Sequence, residues 1–219
     1  MTRKRIALAL IASLALAAFA LGSFLYQRSQ AAAQQELARS NEGVFARAHS
    51  PTYGDPAAKV RLTEFFDPAC ETCRAFYPAV KKLVDDSQGR VQLVVRFVPF
   101  HYGADLAAKI LVAAHDQQLF VPVVEVVLAT QDSWASHANP RPQLLWGYLA
   151  QSGLDIAKAK AAVDTAQVKA VIAQDMADAR SLNVTRTPGF FVNGKPLERF
   201  GYEQLLELVQ REVELAYGQ

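Results

Sequence analysis

The chain has 219 residues, 51% of them hydrophobic, which is enough to bury a core in one domain of ordinary size. Its formal net charge of +2 is unevenly placed, because residues 1–33 hold four of the 23 basic residues and none of the 21 acidic ones. The remaining chain is slightly acidic and lacks the clustered Lys and Arg of a nucleic-acid surface. Two cysteines are too few for a disulfide framework or a four-cysteine zinc site.

The N-terminus has the pattern of an export signal. Arg3, Lys4 and Arg5 precede an apolar run over residues 6–26. A removable signal has an apolar region of about 7–15 residues, whereas this run approaches the roughly 20 residues that cross a bilayer. We therefore predict a cytoplasmic basic segment over 1–5 and a transmembrane signal anchor over 6–26, with a cleaved signal as the alternative. Since positive charge stays inside, the rest of the chain is predicted to face the periplasm of a bacterium.

A linker and the first half of a domain follow. The Gln- and Ala-rich residues 27–50 predict a partly helical linker, and the domain is predicted over 51–219. Val60–Phe66 and Val91–Val98 are rich in β-branched and aromatic residues, which predicts two buried strands. Between them the pattern predicts a helix from Cys70 to about Asp86. Strand, helix and strand in succession form a βαβ unit with parallel strands.

The second half of the domain is helical before it returns to strands. Over about 104–184, Ala, Leu, Gln, Lys and Asp dominate, which predicts three to five inserted helices. Strands are predicted over 189–193 and 195–200, joined by a two-residue turn at Asn193-Gly194. Residues 202–216 have the pattern of an amphipathic helix. This order predicts an α/β fold with a central mixed sheet and an inserted helical subdomain.

Cys70 and Cys73 lie where the first strand gives way to the helix. Residues three apart share a helix face, so the two sulfurs can bond. Free N–H groups and the macrodipole at a helix N-terminus favour a thiolate. We predict Cys70 as the exposed nucleophile and Cys73 as the shielded thiol that resolves the mixed disulfide. Such a pair alone also fits half a zinc site, a metallochaperone or an inert disulfide, but the βαβ context favours redox chemistry.

Thr187 and Pro188 open the strand that precedes the predicted hairpin. In the thioredoxin fold a cis-proline at this point lies beside the reactive sulfurs, and cis bonds are otherwise rare. Because proline has no N–H, the backbone of the preceding residue stays free to pair with an extended substrate. The alternative is an ordinary trans-proline at the start of an edge strand. We predict Pro188 as an active-site residue and Thr187 as a substrate-binding residue.

Together these motifs resemble the DsbA-type thiol–disulfide oxidoreductases of bacterial envelopes, in the thioredoxin superfamily. The resemblance covers roughly residues 55–217 and is carried by EFFDPACETC at 64–73, FVPFH at 97–101 and TPGFFVNG at 187–194. It implies a thioredoxin-like fold with a helical cap. It further implies a redox-active Cys70–Cys73 disulfide, with no bound cofactor or metal, that exchanges with reduced or misoxidised exported proteins.

The resemblance also implies an acid six residues before the nucleophile, buried under the reactive cysteines. Glu64 matches that position. Burial raises the pKa of a carboxyl group, so Glu64 could pass a proton to or from Cys73. The alternative is an acid at the strand end that pairs with Arg96 on the neighbouring strand.

One departure from the family concerns the redox potential. Strongly oxidising members carry Pro-His between the cysteines, whereas this chain has Glu71-Thr72. The negative charge of Glu71 disfavours a thiolate at Cys70, and Thr72 offers a hydroxyl donor but no charge. A less stable thiolate predicts a weaker oxidant.

Three functions fit the sequence. The first is an oxidase that introduces disulfides into exported proteins and is reoxidised by a DsbB-like membrane partner, which only the resemblance implies. The second is a reductase or isomerase kept reduced by a DsbD-like membrane donor. The third is not an enzyme but a copper-binding chaperone that uses both sulfurs, with His101 as the one plausible further ligand. We predict the first.

Overall fold

The computed structural model describes residues 13, 14, 16–26 and 42–218. It divides the chain into two compact units, residues 1–40 and Asn41–Gln219. In the first unit residues 16–26 are helical, and apolar side chains such as Phe19 are exposed. In the described ranges no helix has both the length and the apolar character needed to span a membrane. Residues 1–5, 6–12, 15 and 27–41, which include much of the predicted anchor and linker, lie outside the described residues.

A five-stranded sheet forms the centre of the second unit. The strands are β1 (Thr52–Gly54), β2 (Val60–Phe66), β3 (Val91–Phe97), β4 (Gly189–Val192) and β5 (Lys195–Pro196), in the order β1-β3-β2-β4-β5. Strands β2 and β3 are parallel and the other pairs are antiparallel, so the sheet is mixed, as predicted. Strand β1 was not predicted, because three residues are too few to show an alternating pattern.

Nine α-helices lie within residues 42–218. They are α1 (Glu42–Phe45), α2 (Glu71–Asp86), α3 (Ala104–Asp116), α4 (Phe120–Ala129), α5 (Gln131–Trp134), α6 (Leu145–Tyr148), α7 (Ile156–Ala162), α8 (Ala166–Ser181) and α9 (Tyr202–Tyr217). Two 3₁₀ turns, Pro142–Leu144 and Leu149–Gln151, flank α6. Helices α3 to α8 form the predicted insertion. The predicted three to five helices were too few, because single-turn helices such as α5 and α6 carry no periodic pattern.

The two faces of the sheet are covered by different elements. The β2–β3 register places Phe65 beside Arg96, while Glu64 lies beside Phe190 of β4 on the opposite face. The ring of Phe76 in α2 packs on Phe190 with centroids 5.8 Å apart, so α2 covers the face that carries Glu64. On the other face Arg96 pairs with Asp175 of α8. The reactive cysteines and the Arg96 ion pairs therefore lie on opposite sides of the sheet.

Residues 42–50 belong to the compact unit, although the sequence predicted them as part of the linker. Val44 and Phe45 are buried, and the Phe45 ring packs 5.1 Å from that of Phe191. Arg47 pairs with Asp178 at 2.8 Å. The domain thus begins near residue 42 rather than 51, because these side chains have partners that only the tertiary fold brings to them.

Candidate active site

Cys70 is the N-cap residue of α2, with extended backbone angles. The turn before it is closed by Asp67, whose carbonyl accepts from the Cys70 N–H at 3.1 Å and whose Oδ1 accepts from the Ala69 N–H at 2.8 Å. The Cys70 carbonyl then accepts the N–H of Arg74 at 3.1 Å, which begins the helix. The sulfur is therefore held at the helix N-terminus, where free N–H groups favour an anion.

The two cysteines are free thiols that differ little in exposure. Cys70 is 5% exposed and Cys73, one turn into α2, is fully buried. Cys70 is the more accessible of the two, as predicted, but it is buried and not exposed. Thr187 contacts its sulfur and Gln131 contacts its carbonyl oxygen.

The two thiols have pKa values shifted in opposite directions. The pKa of Cys70 is lowered to about 5, chiefly by the hydrogen bond from Cys73 and also by contacts to Thr187 and to the Cys73 and Thr72 backbone, which together outweigh the opposing effect of burial. Burial raises the pKa of Cys73, and so does its hydrogen bond to Cys70. At neutral pH the pair therefore holds one negative charge, on the Cys70 sulfur, with the proton kept on Cys73.

Thr187 lies directly against Cys70, and Pro188 follows it in the chain. The peptide bond between them is cis, as the resemblance implies. When it is protonated, the Cys70 Sγ donates to the Thr187 carbonyl at 3.4 Å, and the Thr187 Oγ1 is buried with no hydrogen-bond partner among the described residues. The structure thus brings together two motifs that are 117 residues apart in the chain.

Glu64 lies beneath the cysteines with its carboxyl group in a nonpolar setting. Its side chain is buried, and within the described part of the chain Oε1 has no hydrogen-bond partner. Burial raises the pKa of Glu64 to about 8, and the negative charge of Cys70 contributes. Pairing with Arg96, the alternative considered from the sequence, is wrong. Arg96 lies on the other face of the sheet, where it pairs with Asp175 and Asp178, both at 2.6 Å.

Two histidines lie at the turn that carries Cys70; the sequence indicated only His101, as a copper ligand, and did not indicate His137. His137, from the loop after α5, contacts the carboxylate of Glu71 with Nε2 and Oε1 2.8 Å apart. His101, from the loop after β3, contacts Asp67 with Nδ1 and Oδ2 2.7 Å apart. The two imidazole rings pack edge to face with centroids 6.0 Å apart. Glu71 therefore has a cationic partner when His137 is protonated.

Gln131 in α5 is a further residue that sequence reasoning missed. Its Nε2 donates to the carbonyl oxygens of Pro68, at 2.9 Å, and of Cys70, at 3.1 Å. The side chain is buried, so these bonds form in a low-dielectric setting where they are strengthened. The insertion is thereby bonded to the reactive loop. A glutamine in a four-residue helix has no sequence signal that could have indicated this role.

In the part of the chain that the structure describes, no three or more His, Cys, Asp or Glu side chains converge as metal ligands. His101, the further ligand considered for copper, contacts Asp67 instead. The side chain of Thr72 is exposed, and its backbone contributes to the low pKa of Cys70.

Several known proteins are similar to this chain in sequence. A family model described as Thioredoxin matches residues 47–211. A putative protein-disulfide oxidoreductase of Rickettsia typhi is 27% identical over 167 residues, covering 74% of this chain and 61% of that protein. A segment of the Na⁺/H⁺ antiporter NhaA of Herminiimonas arsenicoxydans is 31% identical over 144 residues, covering 66% of this chain and 22% of the antiporter. The chain thus spans between about a fifth and three fifths of these relatives.

Solved structures agree with the fold. A thioredoxin-like oxidoreductase from Silicibacter pomeroyi is 29% identical with a TM-score of 0.68, covering 78% of this chain and 96% of that one. The α-DsbA1 protein of Wolbachia pipientis is 23% identical with a TM-score of 0.64, covering 82% of this chain and 96% of that one. The chain therefore belongs to the thioredoxin family, and its fold is DsbA-like, as the sequence motifs predicted.

Proposed function

We propose that the chain is a thiol:disulfide oxidoreductase that introduces disulfides into exported proteins through Cys70 and Cys73. The observation that carries the proposal is the charge asymmetry of the pair, in which the Cys70 pKa is lowered to about 5 while that of Cys73 is raised. A nucleophile at a helix N-terminus beside a protonated resolving thiol is what disulfide exchange requires. The relative named as a putative protein-disulfide oxidoreductase supports the same reaction class.

The proposed reaction begins with the Cys70–Cys73 disulfide. A substrate thiolate attacks the Cys70 sulfur, the Cys70–Cys73 bond breaks, and Cys73 leaves with the electron pair and takes up a proton. A second substrate thiolate then attacks the substrate sulfur of the mixed disulfide, and Cys70 leaves as a thiolate. The substrate loses two electrons and gains a disulfide, while the cysteine pair is reduced. Glu64, protonated below its pKa of about 8, is the proposed proton donor to Cys73.

The same asymmetry supports the proposed direction of electron flow. A stable Cys70 thiolate stabilises the reduced form and makes the disulfide a stronger oxidant. Glu71 was predicted to oppose this, but its carboxylate lies 2.8 Å from His137, which offsets the charge when protonated. The opposite direction, a reductase or isomerase kept reduced by a membrane donor, is the competing proposal. No observation in the described residues favours the copper chaperone.

Location and partners are part of the proposal. Arg3, Lys4 and Arg5 before the apolar run over 6–26 support placement of the domain on the periplasmic side of a bacterial inner membrane. A chain so placed would meet reduced exported proteins as substrates and a DsbB-like membrane protein as its oxidant, or a DsbD-like donor if it works as a reductase.

Trapping of mixed disulfides tests the reaction. In cells that express the full chain with Cys73→Ser, we expect adducts with exported proteins that a thiol reductant releases, because serine cannot resolve the disulfide at Cys70. The matched control carries Cys70→Ser as well as Cys73→Ser and should form none. Absence of adducts from the single variant would contradict exchange with protein substrates.

Redox titration of the full chain against glutathione tests the direction. We expect a potential more positive than about −180 mV. The reason is that the Cys70 pKa of about 5 lies between the pKa of the reactive cysteine in thioredoxin, about 7, and that in the strongest oxidant, about 3.5. A potential of about −230 mV or lower would replace the oxidase proposal with the reductase.

A further inference from the structure

Two carboxylates flank the reactive sulfur, and each is close enough in sequence to oppose its negative charge. Asp67 precedes Cys70 by three residues and is fully buried, while Glu71 follows it directly and is exposed. Like charges near a thiolate raise its pKa. The donors already described lower the pKa of Cys70, and a cationic partner on each acid would keep the two negative charges from opposing them.

The structure places one histidine on each of these carboxylates. Asp67 Oδ2 accepts from the N–H groups of Phe100 and His101, at 2.7 and 2.8 Å, and also contacts the His101 ring. Glu71 has the His137 ring as its ion-pair partner. The edge-to-face packing of the two rings makes one continuous row of side chains, from Asp67 through both histidines to Glu71.

We propose that His101 and His137 are positioning residues for disulfide exchange, which shield the Cys70 thiolate from the carboxylates of Asp67 and Glu71. The inference deepens the proposed function and rests on it. His137 comes from the helical insertion, so the insertion supplies charge to a site built on the thioredoxin core. The dipeptide between the cysteines supplies no positive charge, and the two loops provide it instead.

The pH dependence of this arrangement follows from the groups around Cys70. These are Cys73 and Glu71 on α2, Glu64 on β2, Asp67 in the preceding turn, and the two histidines. Burial is the largest single effect on the pKa of His101 and lowers it. The bond to Asp67 and the negative charges of Asp67, Cys70 and Glu71 together outweigh burial, so the pKa of His101 is raised. Coupling is reciprocal, so protonated His101 favours the thiolate in turn. Because Cys70 titrates near 5 and the pKa of His101 is raised above its ordinary value, His101 is charged while Cys70 ionises.

The test is the ultraviolet titration of the thiolate in the reduced full chain. For His137→Asn we expect the ratio of thiolate to thiol near pH 5 to fall about two- to fivefold, the effect of losing one exposed ion pair. For His101→Asn, which is partly buried, we expect a fall of about three- to tenfold. Adding Glu71→Gln to His137→Asn should restore the wild-type ratio, since the charge that needed a partner is gone.

The matched control is His115→Asn, a histidine in α3 that should leave the titration unchanged. An unchanged ratio in His137→Asn, or a fall that Glu71→Gln does not reverse, would overturn the inference and leave the exchange function standing. Titration of wild-type Cys70 at an ordinary thiol pKa would instead remove the observation on which the proposed function rests.

Discussion

Replacement of Glu64 with glutamine is expected to slow the proton-coupled step of disulfide exchange about a hundredfold and to make the protein more stable at alkaline pH. The kinetic effect follows because glutamine cannot deliver a proton to Cys73, and a positioned acid or base contributes about 10²–10⁴-fold. Glu64 lies under the cysteine pair with a pKa of about 8, so it is protonated where the proposed step needs a donor.

The stability effect follows from the same burial. The folded-state pKa of Glu64, about 8, exceeds its ordinary value of 4.5. Folding then takes up a proton between these values, so stability is greatest below about pH 4.5 and is lost as the pH rises through 8. The full loss is about 3–5 kcal/mol. Glutamine has no charge to bury, so the gain near pH 8 should be about 2–4 kcal/mol after its unpartnered amide is counted.

Two measurements on the full chain check this pair of effects. Stopped-flow kinetics with a reduced peptide should show the slower step in Glu64→Gln, and urea unfolding should show the gain near pH 8 and no gain near pH 4. Equal kinetics in the two proteins would remove Glu64 from the mechanism. A stability difference that did not change with pH would mean that the carboxyl group does not titrate as described.

Replacement of Asp175 with asparagine is expected to lower the free energy of unfolding by about 3–5 kcal/mol, the usual result of removing one partner from a buried ion pair. Asp175 is fully buried, and its Oδ1 accepts from Arg96 at 2.6 and 2.9 Å and contacts His49 at 2.7 Å. Its Oδ2 accepts from the backbone N–H of Phe97 at 2.7 Å. Asparagine has an NH₂ group in place of one carboxylate oxygen, so this group would face either the Arg96 guanidinium or the Phe97 N–H, both of which are donors.

Urea unfolding near neutral pH measures this loss, and the exposed Lys82–Asp86 pair provides the control. Asp86→Asn should leave the unfolding midpoint unchanged, because both partners are in solvent. The Cys70 titration should also be unaffected by Asp175→Asn wherever the protein is folded, since Arg96 lies on the other face of the sheet. A loss below about 1 kcal/mol would mean that Arg96 is satisfied by Asp178 alone.

The sequence predicted the features that depend on neighbouring residues. Strand β2 has the predicted bounds, and α2 starts directly after Cys70, because β-branched runs and helix-start signals are local. Strand β5 ends at Pro196 instead of the predicted residue 200, as the following residues leave the sheet after one further bond, from the Leu197 N–H to the Phe190 carbonyl. The family resemblance was carried by the same local motifs.

Features that depend on distant residues were not predictable in this way. Arg96 looked like a partner for Glu64 because the strands are adjacent, but only the register shows that the two side chains point to opposite faces. His137 reaches Glu71 across 66 positions, and Gln131 reaches Cys70 across 61. Such pairs carry no periodic signal, since tertiary packing alone brings them together.

The enclosure of Cys70 has a consequence for which proteins react. With 5% of the residue accessible and its sulfur in contact with the Thr187 carbonyl, an incoming sulfur has little room to reach Cys70. A cysteine on a rigid folded surface cannot do so, whereas one on a loose, extended stretch of chain can. Under the proposed function, exchange would then depend on local flexibility rather than on a recognition sequence, so that loosely folded exported chains would react in preference to folded proteins with surface thiols.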